Sequence, residues 1–360
     1  MGRTEMLETI TIEEFGSDSN TDEQLAAANV VWNAVDEADW HPDDPRSPDG
    51  EMLSWYRSVA SDRRWSMWLA RDASGQPVGF SELWWGTTKE NRHRGHAEVL
   101  VSPHARRRGI GTRLLRALVE RAPREQLSLL TGNALPGSGS DDFAKAFGAR
   151  VAITRGASSE FTQAENRLSV KDLDRALMES WVERASERAS DYELVFWEGL
   201  TPEELLEPFT QVKHVMNTAP HTEGEEDWLP TPEQLREREV LQQKEGLITL
   251  TYAVRYVPSG ELAGYTRIMP SAHRPQLAYQ DDTAVDPAHR NKGLGRWLKA
   301  AMILKVLQEK PEIETVETWN AATNAAMLHI NEEMGFRRTK VWTKYEIETE
   351  ALKAALADRA

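Results

Sequence analysis

Two short stretches of this sequence carry residue types whose spacing can do chemistry. Val101-Ser-Pro-His-Ala-Arg106-Arg-Arg-Gly109-Ile-Gly111-Thr-Arg-Leu114 and Val285-Asp-Pro-Ala-His-Arg290-Asn-Lys-Gly293-Leu-Gly295-Arg-Trp-Leu298 share Val, Pro, Arg, Gly, Gly and Leu at the same relative positions. The second arginine lies 184 residues after the first (Arg106 to Arg290). A glycine-bearing loop that enters a helix leaves several backbone N–H groups unpaired at the positive end of the helix dipole, which suits a phosphate or pyrophosphate. Gly293 and Gly295 permit close backbone approach while Arg290 and Lys292 add positive charge, and Gly109, Gly111, Arg106 and Arg108 repeat the arrangement. The spacing is neither the G-x-x-x-x-G-K-[ST] loop of nucleotide triphosphatases nor the G-x-G-x-x-G dinucleotide fingerprint.

Elements that would position such a loop can be read on either side of it. His96 to Val101 and Leu277 to Val285 read as strands. Helical stripes follow at Ile110, Leu114, Leu115, Leu118 and at Leu294, Trp297, Leu298, Ala301, Met302, each closing near a proline, Pro123 or Pro311. Further strands are expected over Leu127 to Leu130 and Glu312 to Trp319. Upstream, Ser74-Gly75 and Ser259-Gly260 read as hairpin turns flanked by strands Trp65 to Ala70 and Ile248 to Tyr256. Repetition at this period implies two copies of one domain. Leu173, Leu177, Trp181 and Ala185 at helical spacing imply a charged helix between them, Tyr192 to Trp197 a strand, and Thr201-Pro202-Glu203-Glu204 a helix start. The expected domains are therefore 1–170 and 190–360, joined by a linker helix over 171–189, and the fold class is α/β in the broad, α+β sense.

Arg-x-x-Gly-x-Gly after a strand ending Val-x-Pro resembles the acetyl-CoA signature of the GNAT superfamily of N-acyltransferases. The second copy adds Asn324-Ala-Ala-Met-Leu-His-Ile-Asn331-Glu-Glu-Met-Gly335-Phe336, similar to that family's later helix and closing Gly-Phe. The resemblance implies two GNAT-like domains, each a mixed sheet splayed after its fourth strand and flanked by helices. Acetyl-CoA would be the co-substrate, its pantetheine bonding strand backbone near Val285 and the Asn324 side chain, its pyrophosphate on the amides of Asn291, Lys292, Gly293, Leu294, Gly295 and Arg296. The matching positions of the first copy are Val101, Arg106, Arg108, Gly109 and Gly111. Transfer would be direct, an amine attacking the thioester with no covalent enzyme intermediate. The family's usual thiolate-protonating tyrosine is Asn331 here, so Tyr279, His329 or a water would have to serve, or the thiolate leaves unaided. In the first copy Ala144 stands at the tyrosine place, Gly137 at the asparagine, and Gly148-Ala149 at Gly-Phe. That copy reads as catalytically degraded, a scaffold or vestigial CoA binder.

Eight residues before each loop arginine stands a carboxylate, Glu98 and Asp282. Either accepts an ammonium proton directly or through water, or else faces solvent or pairs with a basic side chain. Asp281 points the other way from Asp282 in a regular strand, and a bulge would exchange them. Catalytic candidates are accordingly Asp282, Asp281, Asn331 and Tyr279.

The whole chain agrees with this chemistry. Its 360 residues are a prior for two domains at roughly 100 to 200 residues each, and 40% hydrophobic content excludes disorder as the main state. Lys and Arg number 43 against 58 Asp and Glu, a formal charge of −15 that repels nucleic acid and attracts cationic ligands. Absence of cysteine excludes disulfides, cysteine-ligated metals and a cysteine nucleophile. His93 and His96 lack companions for a metal site, so no metal is expected. The acidic loops Asp36 to Asp49 and Glu223 to Asp227 would attract a cationic acceptor, or are solvated surface. No stretch has the apolar length of a membrane span, the first ten residues lack a secretory core, and Met6 breaks the myristoylation pattern begun at Gly2. The expectation is a cytoplasmic monomer or homodimer that acetylates a primary amine of a small molecule in its second copy. Alternatives are a non-catalytic CoA-binding regulatory protein and a protein or peptide N-acetyltransferase.

Overall fold

The computed structural model describes residues 10–359, so the readings that rest on residues 1–9 fall outside it. In chain order it runs β1 (Thr11–Gly16), α1 (Asp22–Val35), α2 (Asp49–Arg57), β2 (Arg63–Arg71), β3 (Pro77–Gly86), β4 (Arg94–Val101), α3 (Ile110–Arg121), β5 (Leu129–Ala134), α4 (Gly139–Ala146) and the short β6 (Arg150–Val151). There follow β7 (Thr162–Ser169), α5 (Arg175–Arg188), β8 (Tyr192–Glu198), α6 (Glu203–Lys213), α7 (Pro232–Lys244), β9 (Leu250–Tyr256), β10 (Leu262–Pro270), β11 (Leu277–Val285), α8 (Leu294–Glu309), β12 (Thr315–Ala321), α9 (Ala325–Met334), β13 (Arg337–Glu348) and α10 (Thr349–Ala357). Helices α1 and α7 begin on capping boxes, Thr21 with Gln24 and Thr231 with Gln234, which satisfy N–H groups the helix itself leaves unpaired.

Two compact units result, one holding the chain up to Ala152 together with Thr343 onward, the other Ile153–Trp342. In the first, β1, β2, β3 and β4 are antiparallel neighbours, β4 and β5 are parallel, and Thr343 to Glu348 of β13 pair antiparallel with β5. The second repeats the plan: β8, β9, β10 and β11 antiparallel, β11 and β12 parallel, and β7 antiparallel to β12 from Ser169↔Thr315 to Gln163↔Ala321.

These units differ from contiguous domains 1–170 and 190–360. β7 completes the second sheet and the end of β13 completes the first. The helix expected as a linker over 171–189 is α5, and it belongs to the second unit's core: Met178 and Trp181 are buried with Ala300, Met302, Ile303 and Val306 of α8. In the first unit Ile110, Leu114, Leu115 and Leu118 of α3 pack with Leu352 and Leu356 of α10, the stripe read from the sequence now facing its sheet. No helix among the described residues is long and apolar enough to cross a membrane.

Candidate active site

In the second unit the parallel pairing of β11 with β12 lasts only over Leu277↔Thr315, Ala278↔Val316 and Tyr279↔Glu317, after which the strands part. On its other side β11 departs from regular register against β10: Thr266 faces Thr283 and Ile268 faces Gln280, so Asp281 and Asp282 together oppose Arg267. Two residues opposite one is a β-bulge, which breaks the ladder and re-aims side chains. Parting and bulge together open a cleft of about 580 Å³, lined by Gln280 to Val285, Thr318 to Asn320, the loop after β11, and one side of α8 and α9. Its size is that of an ordinary ligand site.

Asn291 and Gly293 both lie in the left-handed region, at φ 65° and 83°, and Gly293 caps α8. No atom stands within 4 Å of where a Cβ on Gly293 would sit, so the surface there is open. The first N–H groups of α8 have no partner within the helix. Arg290, Asn291, Gly293, Leu294, Gly295, Arg296, Val285 and Asn324 all border the cleft. Lys292 does not: its amine donates to the Tyr192 hydroxyl at 2.7 Å and lies over the Tyr192 ring. Arg290 turns back on its own strand, Nε donating to the Val285 carbonyl at 2.9 Å and Nη2 to the Thr218 hydroxyl at 2.7 Å. Arg296 is paired with Glu333 at 2.6 Å, and the Asn324 side chain caps α9 through the Met327 N–H.

The first unit keeps the loop and loses its surroundings. Arg107 and Gly109 repeat the left-handed pair at φ 62° and 79°, and Arg106 Nε again donates to a strand carbonyl, that of Val101, at 3.0 Å. Yet the Arg106 guanidinium is neutralised by the Asp39 carboxylate, out of the acidic loop expected to draw substrate, and Arg108 donates to the His104 carbonyl. A side chain on Gly111 would touch the Phe143 ring at 3.5 Å. Most telling, β4 has no bulge: pairing with β3 runs unbroken from Gly79↔Val101 to Trp85↔Gly95. Glu98 therefore faces Glu82 directly. Burial, then the Glu82 charge, pushes the Glu98 carboxyl up to about 8, while the Tyr56 hydroxyl donates to Glu82. His96 on the same strand is held neutral, burial pulling it down to about 4.

Asp281 and Asp282 each have a basic partner. Asp282 accepts from Lys213 Nζ and from the Tyr265 hydroxyl, both at 2.9 Å, and Asp281 accepts from Arg267 Nη1 at 3.2 Å. Burial raises Asp282, but the Lys213 ammonium and its hydrogen bond outweigh it and leave the carboxyl below its ordinary value. For Asp281, burial and the neighbouring Asp282 charge prevail over Arg267, and its carboxyl is raised. Burial and neighbouring charge thus push two adjacent carboxyls in opposite directions. Asn331 is buried, its Nδ2 donating to Asn320 Oδ1 at 2.8 Å and its own Oδ1 without a partner among the described residues. Tyr279 does not border the cleft; its hydroxyl accepts from Arg274 at 2.6 Å and its ring stacks on Trp319. His329 sits at the exposed rim, 3.5 Å from Glu333. Three cations escaped the sequence reading: Lys213 and Arg267, which hold the two carboxylates of the cleft and whose partners are remote in sequence, and Lys299, a lysine set within the apolar stripe of α8 that itself borders the cleft. That last position was the one available signal.

The acetyltransferase (GNAT) family model matches this sequence over residues 32–148 and again over 213–336. The chain belongs to the acetyltransferase (GNAT) family. Two GNAT regions in one chain also characterise a solved relative, a tandem GNAT protein from the clavulanic acid biosynthesis pathway, 23% identical with a TM-score of 0.75, the match covering 94% of this chain and 99% of that one. A GCN5-related N-acetyltransferase from Sphaerobacter thermophilus is 12% identical with a TM-score of 0.64, covering 94% and 96%. At such identities the structures speak for the fold alone. No curated protein matches the sequence. GNAT proteins use acetyl-CoA, and the open left-handed loop of the second unit, with unpaired amides and no side chain filling it, fits the pyrophosphate of that group.

Proposed function

We propose that the second unit transfers an acetyl group from acetyl-CoA to a primary amine of a small molecule. The observation that carries this reading is the β11 bulge, because it brings two carboxylates of divergent basicity to the cleft that opens beside the pyrophosphate loop. Amides of Asn291 to Arg296 would hold the diphosphate, Val285 and Asn324 the pantetheine arm. Asp281, the more basic carboxylate, would take the ammonium proton, while Asp282, fixed by Lys213 and Tyr265, keeps negative charge beside the incoming cation. Arg290 positions rather than neutralises, since its guanidinium spans the Val285 carbonyl and Thr218. Lys292 would support the loop from outside, through Tyr192. The first unit would serve as a scaffold, its loop arginine neutralised and its strand carboxyl protonated at neutral pH.

A second reading, a CoA-binding protein without turnover, is favoured by Asn331, whose amide has no titratable proton to give. Thiol release from acetyl-CoA with a panel of amino acids, polyamines, aminoglycosides and basic peptides separates the two. Release with a small amine supports transfer; bound CoA with no release from any amine overturns it. For the base, Asp281→Asn is expected to lower kcat by about 10²- to 10⁴-fold with CoA affinity unchanged. A pH–rate profile that keeps its acidic limb in that variant removes Asp281 from the role.

A further inference from the structure

Lys299 is a lysine where the fold offers no reason for one. It sits on α8 and is 1% exposed, yet it borders the cleft. The equivalent residue of the first unit, 184 positions earlier, is Leu115, a core residue of α3. Its amine has no hydrogen-bond or ion-pair partner among the described residues, and it lies 5.2 Å from the centroid of the Phe336 ring. Burying an amine without a partner is costly, so such a group persists where something else makes use of it.

The other ionisable groups that the surrounding elements bring to this cleft are all engaged. Asp281 and Asp282 of β11 hold Arg267 and Lys213. His289 of the loop meets Tyr192 and Glu261, Arg290 its own strand, and Arg296 and His329 meet Glu333. β12 brings Thr318, Trp319 and Asn320, and no charge. The place from which a thiolate would be protonated is occupied by Asn331, whose amide cannot do it and is tied to Asn320.

We propose that Lys299 is the catalytic proton donor to the departing thiolate of CoA, taking over the function that the asparagine at position 331 cannot perform. The proposal rests on the acyl-transfer reading above. As the amine nitrogen bonds to the acetyl carbon, the carbon–sulfur bond breaks and its electron pair goes to sulfur. The attacking ammonium first gives one proton to Asp281 and so becomes the amine; as the carbon–sulfur bond breaks, the Lys299 ammonium gives a proton to the sulfur, leaving a neutral lysine, and the nitrogen loses its second proton to water as the amide forms. Solvent then returns one proton to the lysine and removes one from the Asp281 carboxyl, so that one proton is released per acetyl group transferred. Burial alone pulls the Lys299 amine down to about 7, below the ordinary thiol value of about 8.5, so donation to a thiolate runs downhill.

The test uses the full chain with Lys299→Leu, the residue of the first unit, and Lys299→Met as a second variant. CoA itself is the probe for the first readout, the ultraviolet thiolate band of the bound cofactor titrated against pH. Beside a lysine ammonium the bound thiol ionises at lower pH in the wild type than in either variant. The second readout is thiol release: kcat falls at least about 10²-fold in both variants, the alkaline limb of the wild-type profile disappears, and CoA affinity by calorimetry stays within about threefold. Unchanged thiolate titration or an unchanged alkaline limb in variants that still bind CoA overturns the assignment while leaving acyl transfer intact. Failure of the wild type to release thiol with any amine removes both together.

Discussion

At the scale of single residues, the two units differ in what burial does to a carboxylate at one equivalent strand position. Asp282 is buried with a lysine and stays ionised; Glu98 is buried against another glutamate and takes up a proton. A carboxyl whose folded value is raised above its unfolded one favours the folded state only while protonated. Stability is thus full below the ordinary 4.5 and is lost as pH rises towards about 8. Glu98→Gln, which mimics the protonated form, is expected to flatten that decline: thermal melting from about pH 5 to pH 9 should show the variant gaining on the wild type with each step upward. Parallel curves would mean that Glu98 is ionised and otherwise compensated. The places of Asp282 and Glu98 were legible because each stands a fixed distance from a loop arginine. Lys213 was not, since a lysine closing a charged helix reads as solvent-facing and its partner lies on a strand far along the chain.

At the scale of elements, the loop and the strand before it were read almost residue for residue, Leu277–Val285 included, because an apolar strand, a proline and glycines at a helix entry are all local signals. β7 was missed for an equally physical reason. Its sequence Thr162–Ser169 is mostly polar, and what buries Glu165 is not hydrophobicity but Thr339, Lys340 and Arg167, just as Glu317 on the neighbouring strand is paired with Arg167. Ion pairs across a sheet hide a central strand from any reading of periodicity. The bulge, too, has no signature in one strand, being a relation between two. The loop itself gives a comparison between units. Gly293 and Gly109 are both left-handed, where a β-branched side chain costs about 1–2 kcal/mol, so Gly293→Val and Gly109→Val should destabilise to similar degrees. Only the first should weaken CoA binding, by about tenfold or more. Equal losses in calorimetry, or two CoA sites per chain in the wild type, would show that the first loop also binds.

At the scale of the molecule, the repeat told that there are two copies but not which strand completes which sheet. Neighbouring strands in sequence usually pair, and here β7 and the end of β13 do not follow that habit: β7 joins the sheet of the second unit, and Thr343 to Glu348 join that of the first. Nothing local in the sequence distinguishes this from contiguous halves, because the choice is made by partners more than a hundred residues away. It has a consequence for α10, which follows β13 and whose Leu352 and Leu356 are 3% and 2% exposed in a core built otherwise from residues of the opening half, Ile110, Leu114 and Leu118 among them. Truncating such a leucine costs about 2–5 kcal/mol, the transfer loss plus the cavity left behind. Leu356→Ala should therefore speed hydrogen exchange at the amides of α3, nearly two hundred and fifty residues upstream in the chain, while those of α8, which lies much nearer in sequence, keep their protection. Loss of protection in α8 with α3 unaffected would contradict the exchange of strands, since that pattern belongs to a last helix packed on the half of the chain that immediately precedes it.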